Sequence, residues 1–292
     1  MCGIIGAASS RSVGKILIKG LQLMEYRGYD SAGVVLNKDE EILRLRSLGK
    51  VSKLEEIMIS KKPKAFSGIA HTRWATHGAP SEENAHPHGS HDDIYIVHNG
   101  IIENHEEIRG FLRNKGYEIT SETDSELIAH LVHFYKKDTQ DTLQALMRAT
   151  HELSGAYSIA VVCKQEKGKV YAARQKSPLL VGLGIEENFV ASDPLAIVNI
   201  TEKFHMLEDG DFAVVTKEDV VIYDKEGDPV QRDELKIDAT ATSTTKGEYK
   251  HFMEKEIYEQ PDCIGNTING RLGENDVLDN VFGLGSSDSF KN

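Results

Sequence analysis

The sequence predicts an α+β layered fold, with mostly antiparallel sheets inside and helices outside. Many short runs rich in Val, Ile, Tyr and Phe are bounded by Gly, Pro, Asn or Asp, which is the pattern of strands. A smaller number of segments carry apolar residues at three- and four-residue spacing, which is the pattern of helices. Because few of these helical segments separate successive strands, a doubly wound parallel sheet is disfavoured.

The individual elements follow from these two periods. Apolar β-formers between turn residues predict strands over Gly3–Ala8, Ala32–Leu36, Glu41–Arg46, Gly68–His71, Ile94–His98, Ala156–Cys163, Lys169–Arg174, Leu179–Leu183, Phe189–Ala191, Asp211–Val215 and Val220–Tyr223. Apolar residues on one helical face predict helices over Val13–Met24, His105–Lys115, Asp124–Lys137 and Thr142–Leu153. Gly116 is expected to end the second helix, and Thr123 or Asp124 to cap the third. A long polar helix is expected over Gly247–Arg271.

The composition limits the class of protein. Among 292 residues, 34 Lys and Arg stand against 46 Asp and Glu, so the formal charge is 34 − 46 = −12. This balance disfavours non-specific binding to nucleic acid or to an anionic membrane, both of which attract basic surfaces. No apolar run approaches the roughly 20 residues that span a bilayer, and the N-terminus lacks the pattern of a signal peptide. The cysteines (Cys2, Cys163 and Cys263) form no disulfide or zinc pattern, so we expect a reduced cytoplasmic protein.

Cys2 follows the initiator Met directly and precedes Gly3 and an apolar strand. Once Met1 is removed, a thiol and a free α-amine stand on the same residue. An α-amine has a pKa of about 7.7–8.0, so it is partly neutral at pH 7 and can act as a local base. The thiolate is the competent nucleophile, and this arrangement needs no separate histidine. Taken alone, a cysteine at this position is also explained by chance.

The loop after the predicted strand Gly68–His71 carries four candidate binding residues: Arg73, Trp74, Thr76 and His77. The guanidinium of Arg73 suits a substrate carboxylate, and Trp74, the only tryptophan, suits a lid that excludes water. The histidines of this region also suit a metal site or a solvated polar loop, but they lack the spacing of a zinc motif: His71, His77, His86, His88 and His91.

Three shorter motifs add candidates. After the predicted strand Ile94–His98, the side-chain N–H of Asn99 and the backbone N–H of Gly100 would form an oxyanion hole, although Asn-Gly is also a common turn. Asp124 would anchor a substrate ammonium group, or simply cap its helix. The turn Glu25–Gly33 contains Arg27 and Asp30, whose side chains are expected to form hydrogen bonds within the turn.

Together these motifs resemble the class II glutamine amidotransferases, whose nucleophile is an N-terminal cysteine. The motifs are Cys2-Gly-Ile-Ile-Gly6, Glu25–Gly33, His71–Gly78 with Asn84–His88, His98–Ile102, and Thr123-Asp124. The block from His71 to Gly78 is specific to the branch that passes ammonia to fructose 6-phosphate. Four later segments are similar as well, so the resemblance covers essentially the whole chain: Ser177–Gly184, Ala191–Asp193, Leu207–Asp211 and His251–Pro261.

The resemblance implies a four-layer αββα sandwich of the N-terminal-nucleophile hydrolase type. It also implies hydrolysis of L-glutamine to L-glutamate and ammonia, with no cofactor or metal. In that family the residue matching Cys2 is the nucleophile, and its α-amine is the base. Asn99 and Gly100 would form the oxyanion hole, and Arg27 would support the nucleophile loop.

The same resemblance implies the substrate contacts. Arg73 would hold the carboxylate of glutamine, and Asp124 would hold its α-amine. Thr76 and His77 would line the pocket. Trp74 would stand at the passage through which ammonia leaves.

The resemblance further predicts the domain organisation. Residues 2–235 would form the glutaminase domain, and residues 236–292 an interdomain linker and helix leading to a sugar isomerase domain absent from these residues. Fructose 6-phosphate would be bound only by that absent domain, and the full-length enzyme would be a homo-oligomer.

Four alternatives remain open. The chain could be a stand-alone class II glutaminase or belong to a different amidotransferase branch. A non-catalytic glutamine-binding module is disfavoured, because it would not need Cys2 together with the Asn99–Gly100 pair. A hydrolase of other amides would not need two anchors for an α-amino acid.

Overall fold

The computed structural model describes residues 2–38, 41–75, 78–237, 249 and 251–268. The chain divides into two compact units, Met1–Thr242 and Ser243–Asn292. The strands are β1 (Gly3–Ser9), β2 (Ser31–Asn37), β3 (Ile42–Leu48), β4 (Ser67–Arg73), β5 (His88–Ser90), β6 (Ile94–Ile102), β7 (Gly155–Cys163), β8 (Val170–Gln175), β9 (Leu180–Leu183), β10 (Glu187–Ala191), β11 (Lys203–Met206), β12 (Phe212–Val215), β13 (Val220–Tyr223), β14 (Pro229–Val230) and β15 (Glu234–Lys236). The helices are α1 (Gly14–Leu23), α2 (Val51–Lys61), α3 (His105–Asn114), α4 (Ser125–Thr139), α5 (Thr142–His151) and, in the second unit, α6 (Phe252–Ile268).

The strands of the first unit form two sheets. The first sheet has the order β15-β11-β9-β10-β1-β4-β2-β3, and the second has the order β14-β13-β12-β8-β7-β6-β5. Neighbouring strands pair antiparallel throughout both orders. In the first sheet the N-terminal strand β1 is therefore central, with β10 on one side and β4 on the other.

Three apolar interfaces separate four layers. Helices α1 and α2 cover the outer face of the first sheet, and α3, α4 and α5 cover the outer face of the second. The inner faces of the two sheets pack against each other. Buried residues at the three interfaces include Leu17, Leu21 and Leu54, then Leu112, Ile128 and Leu146, and between the sheets Ile4, Ile69, Val97 and Ala160. The predicted α+β sandwich with antiparallel sheets is confirmed.

The layers explain why the strands read as continuous apolar runs rather than as alternating ones. All seven residues of β1, β2 and β4 are buried, because each strand has a helix layer on one face and the second sheet on the other. Burying a Val, Leu or Ile side chain contributes about 1.5–3 kcal/mol. This apolar packing holds the N-terminal strand in the centre of the unit.

Several predicted boundaries differ from the observed elements. The sequence prediction omits α2, whose buried face consists of only Val51, Leu54 and Met58, and the short strands β5, β11, β14 and β15. It ends β6 at His98, whereas the strand continues to Ile102. Gly116 has the positive φ (81°) expected where α3 ends.

In the second unit the structure describes residues 249 and 251–268, which include helix α6 with Pro261. Within the segment predicted as interdomain linker and helix, residues 238–248 lie outside the described residues, and the predicted domain boundary at residues 235 and 236 stays a prediction. In the part of the chain that the structure describes, no helix has the length and apolar character that crossing a membrane requires.

Candidate active site

Cys2 lies at the start of the central strand β1, where two hydroxyls hold the chain. The Gly3 N–H donates to Thr72 Oγ1 at 3.1 Å, and the Ile4 N–H donates to Ser192 Oγ at 2.9 Å. The backbone N–H of Trp74 donates to the Cys2 sulfur at 3.1 Å. The nucleophile predicted from the sequence is thus held where the central strand of the first sheet begins.

Burial raises the pKa of the Cys2 thiol above its ordinary value, and the N–H of Trp74 opposes this rise only in part. A thiol with a raised pKa is protonated at neutral pH. Because the thiolate is the nucleophile, the site needs a base close to Cys2.

Asn99 and Gly100 lie beside Cys2, on a strand of the second sheet. The side-chain Nδ2 of Asn99 donates to the Cys2 carbonyl oxygen at 3.2 Å. Both residues belong to β6, opposite Ser158 and Tyr157 of β7, so the expectation that they follow the strand as a turn is wrong. Gly100 has a φ of 134°, and a Cβ there would lie 1.9 Å from the Ala156 carbonyl oxygen. Only glycine fits this close approach of two strands.

Arg73 is the last residue of β4, and its side chain is buried. Its Nη2 donates to the Gly78 carbonyl at 3.1 Å, and its Nη1 donates to the Ala79 carbonyl at 3.3 Å. The Asp30 carboxylate lies 3.6 Å from Nη1 and also accepts the Ala75 N–H at 2.5 Å. The loop that follows Arg73 in the chain therefore orients its guanidinium.

Asp124 is at the N-cap position of α4, but its side chain does not cap the helix. Its Oδ2 accepts the backbone N–H of Ile102 at 2.9 Å, and its Oδ1 accepts the Ser125 hydroxyl at 3.3 Å. The carboxylate is thereby linked to the end of β6, close to Asn99. A buried carboxylate in this position is suited to bind a cation.

Arg27 makes different contacts from those expected. Its Nη1 donates to Ser192 Oγ at 3.4 Å, and its Nε lies 3.7 Å from Asp193 Oδ2, which also accepts the Tyr26 hydroxyl at 2.6 Å. Within the turn, Asp30 Oδ1 accepts the Ser31 hydroxyl at 2.8 Å, and the Asp30 carboxylate also faces Arg73. Ser192 Oγ also accepts the Ile4 N–H, so Arg27 lies close to the strand that follows Cys2.

The Trp74 ring lies over Gly28 and is 53% exposed. A Cβ on Gly28 would lie 1.9 Å from the ring, so glycine allows the ring to lie directly on the backbone. Thr76 and His77, which were also predicted to bind substrate, lie outside the described residues.

One cavity of about 380 Å³ joins these groups. The predicted residues that line it are Cys2, Arg27, Arg73, Trp74, Asn99, Gly100 and Asp124. The cavity is also lined by residues that were not predicted to bind substrate or take part in catalysis: His86, His98, Ile101, Thr123, Ser125, Ser177 and Pro178. An Arg and an Asp at one cavity, with a thiol and an amide donor between them, suit an α-amino acid whose side chain carries a carbonyl.

No group of three His, Cys, Asp or Glu side chains within the described ranges is arranged to hold a metal ion. The histidines near the cavity instead contact one another: the rings of His71 and His86 are stacked with centroids 4.0 Å apart. The ring of His88 meets His86 edge-on at 4.7 Å.

Comparisons with known proteins agree with this arrangement. Residues 71–199 match the family model of a glutamine amidotransferase domain. The chain is 49% identical over 292 residues to the glutamine–fructose-6-phosphate aminotransferase (isomerizing) of Pseudomonas putida, covering 99% of this chain and 48% of that protein. The protein of the same name from Idiomarina loihiensis is also 49% identical, over 100% of this chain and 48% of its own length. The chain therefore spans about half the length of the curated relatives it matches.

Solved structures show a shared fold. The glutamine phosphoribosylpyrophosphate amidotransferase of B. subtilis matches with a TM-score of 0.67 at 22% identity, over 77% of this chain and 49% of that chain. An allosteric regulatory enzyme of purine biosynthesis matches with a TM-score of 0.68 at 23% identity, over the same shares.

Proposed function

Since the chain belongs to the glutamine amidotransferase family, we propose that it hydrolyses L-glutamine to L-glutamate and ammonia through a thioester on Cys2. One observation carries the proposal. The Cys2 thiol, the Asn99 amide, the Arg73 guanidinium and the Asp124 carboxylate all line a single cavity.

The two charged side chains suit the two charged groups of an α-amino acid. Arg73 would bind the α-carboxylate and Asp124 the α-ammonium, which leaves the side-chain amide directed at Cys2. A hydrogen bond to a charged group contributes about 1.5–3 kcal/mol, so each anchor alters affinity by one to two orders of magnitude. Thr76 and His77 would complete the pocket around this substrate, and Trp74 would stand where ammonia leaves.

The thiol and its neighbours account for the chemical steps. The α-amine of Cys2 takes the thiol proton while the sulfur attacks the amide carbon of glutamine. Asn99 Nδ2 and the Gly100 N–H stabilise the oxyanion of the tetrahedral intermediate. The α-amine returns the proton to the leaving nitrogen, which departs as ammonia and leaves a thioester. Water then attacks the thioester carbon, and glutamate leaves as the thiol is restored.

The names of the relatives indicate how the ammonia is used. We propose that these residues form the ammonia-donating half of a glutamine–fructose-6-phosphate aminotransferase (isomerizing), with fructose 6-phosphate bound outside them. We also propose a cytoplasmic location and a homo-oligomeric full-length enzyme, with no nucleic acid or membrane as a partner. The acidic composition supports the absence of nucleic-acid and membrane partners, both of which attract basic surfaces.

The proposal is tested with the purified 292-residue chain. Intact mass establishes whether Met1 has been removed, and an assay measures glutamate formed from glutamine. Cys2→Ala should abolish turnover without changing the circular dichroism spectrum, because only a thiol at the chain end is lost. Cys263→Ala, which removes an exposed cysteine of the second unit, should have the turnover of the parent chain.

An N-terminal extension that cannot be cleaved tests the base. It retains the thiol and removes the α-amine, so turnover should fall nearly as far as in Cys2→Ala. Near-normal turnover by Cys2→Ala would reject the mechanism. With glutamine and fructose 6-phosphate together, we expect glutamate and ammonia in equal amounts, and glucosamine 6-phosphate above a control without enzyme would reject the assignment to the glutaminase half.

A further inference from the structure

The mechanism leaves the buried histidine His71 without a role. It lies on β4, two residues before Arg73, and is 1% exposed. Its Nε2 lies 2.9 Å from Asn99 Oδ1 and 3.1 Å from the His98 carbonyl oxygen. It is therefore in direct contact with the proposed oxyanion-hole residue, on the side away from Cys2.

The contacts of His71 assign its tautomer. The His98 carbonyl oxygen, 3.1 Å from Nε2, can only accept a hydrogen bond, so Nε2 must carry the hydrogen. The other ring nitrogen, Nδ1, is buried and has no partner among the described residues. Burial lowers the pKa of His71 to about 3, so the ring is neutral at pH 7. A neutral Nε2–H tautomer is the one form that satisfies these contacts.

The same contacts orient the Asn99 amide. Because His71 donates, the atom of Asn99 facing it must be Oδ1, and the atom facing Cys2 must be Nδ2. The Cys2 carbonyl agrees, since it accepts from Nδ2 at 3.2 Å. An amide rotated by half a turn would direct its oxygen at the developing oxyanion and repel it.

We infer that His71 is a positioning residue, which directs the Asn99 N–H at the reacting carbonyl of glutamine. The inference rests on the proposed glutamine hydrolysis. The stacked ring of His86, with centroids 4.0 Å apart and planes 20° apart, holds the imidazole of His71 in this orientation. Burial at 1% exposure also keeps out the water that would otherwise replace the donor.

Two amide substitutions form the test. In His71→Gln the amide nitrogen takes the place of Nε2, so the donor is kept. In His71→Asn the amide nitrogen takes the place of Nδ1, so the donor is withdrawn although the side chain stays polar and small. We expect kcat for glutamine to fall by about tenfold to a hundredfold in His71→Asn, with KM nearly unchanged, because loss of one oxyanion donor lowers kcat by about 10²–10³. His71→Gln should retain most of the activity.

A double-mutant cycle assigns the effect to Asn99. Asn99→Ala alone should lower kcat, and adding His71→Asn to it should lower kcat little further, because the amide that His71 directs is gone. His130→Leu is the matched control, since His130 is a similarly buried histidine (5% exposed) that contacts Ser90 and Glu126 rather than the cavity. It should leave kcat unchanged. Circular dichroism and urea unfolding establish that each variant is folded.

The possible outcomes separate the inference from the proposed function. Equal kcat for His71→Asn and His71→Gln, additive losses in the cycle, or a rise in KM alone would each reject the positioning role. If the parent chain lacks turnover, or if Cys2→Ala retains it, the proposed function itself fails. An active parent chain, an impaired Asn99→Ala and a fully active His71→Asn would reject the inference and leave the proposed function standing.

Discussion

Gly28 connects the backbone directly to the side chain of Trp74. It follows a short 3-10 helix, Glu25–Arg27, and has a φ of 86° and a ψ of 152°, a region that glycine alone occupies readily. A Cβ there would lie 1.9 Å from Trp74 Cζ3 and 2.3 Å from Cε3. Ordinary contact begins at 3.4 Å, so the ring must move by about 3.4 − 1.9 = 1.5 Å. Gly28→Ala therefore perturbs both the backbone and the indole.

The expected loss of stability has two parts. Holding alanine in this backbone region costs about 1–3 kcal/mol, and displacing a packed ring costs about 1–3 kcal/mol more. We expect Gly28→Ala to lower the free energy of unfolding by about 2–6 kcal/mol. Gly116→Ala is the matched control, because Gly116 has a φ of 81° and no atom within 4 Å of its would-be Cβ. It should lose only about 1–2 kcal/mol.

Fluorescence reports the displacement directly, because Trp74 is the only tryptophan of the chain. Gly28→Ala should change the emission maximum and the accessibility to acrylamide, whereas Gly116→Ala should change neither. Turnover of glutamine should fall in Gly28→Ala, since the Trp74 N–H donates to the Cys2 sulfur at 3.1 Å. If Gly28→Ala has the emission and stability of the parent chain, the packing argument is refuted.

Three further predictions concern charge and protonation. Arg73→Gln and Asp124→Asn should each raise KM for glutamine by about tenfold to a hundredfold, with alkylation of Cys2 by iodoacetamide nearly unchanged; equal losses in both measurements would contradict the anchor roles. Because burial raises the pKa of Cys2, its alkylation should accelerate about tenfold per pH unit up to at least pH 9, and a plateau near pH 7 would contradict this. Burial lowers the pKa of His71 and of His88 to about 3, so between about pH 6.5 and pH 3 the unfolded chain binds more protons than the folded one. The contribution of each histidine to the free energy of unfolding is therefore complete above pH 6.5 and decreases as the pH falls. We expect a decrease of about 2 kcal/mol for each histidine between pH 7 and pH 5. Urea unfolding at several pH values measures this decrease.

The sequence predicts most of the fold because strands that are buried on both faces are continuous apolar runs, which are easily recognised. A strand such as β1 is apolar throughout, and its length of seven residues distinguishes it from a helix. Helix α2 was not predicted: only three of its eleven residues are buried (Val51, Leu54 and Met58), and charged residues are interspersed among them. Strands β11 and β15 were not predicted because they are short, and pairing with neighbours distant in sequence stabilises them.

The candidate residues of the site could be predicted where a short motif contains them. The residues that their side chains contact in the fold could not. Asp30 lies close to Arg27 in sequence, and nothing in that turn indicates that it faces Arg73. Arg27 contacts Ser192, which is 165 residues away along the chain. Such contacts depend on which strands are neighbours in the sheet, and a motif contains no information about that order.

Antiparallel pairing explains why motifs so far apart in sequence meet at the same end of the sheet. Strand β4 runs opposite to β1, so that Thr72, near the end of β4, is paired with Gly3, near the start of β1. Arg73 at the end of β4 is therefore brought next to Cys2, and the same pairing places the start of β2, at Ser31, opposite Arg73. A parallel arrangement of these strands would separate the thiol from the guanidinium by the whole length of a strand. The site thus depends on the strand order and direction as much as on the identity of its residues.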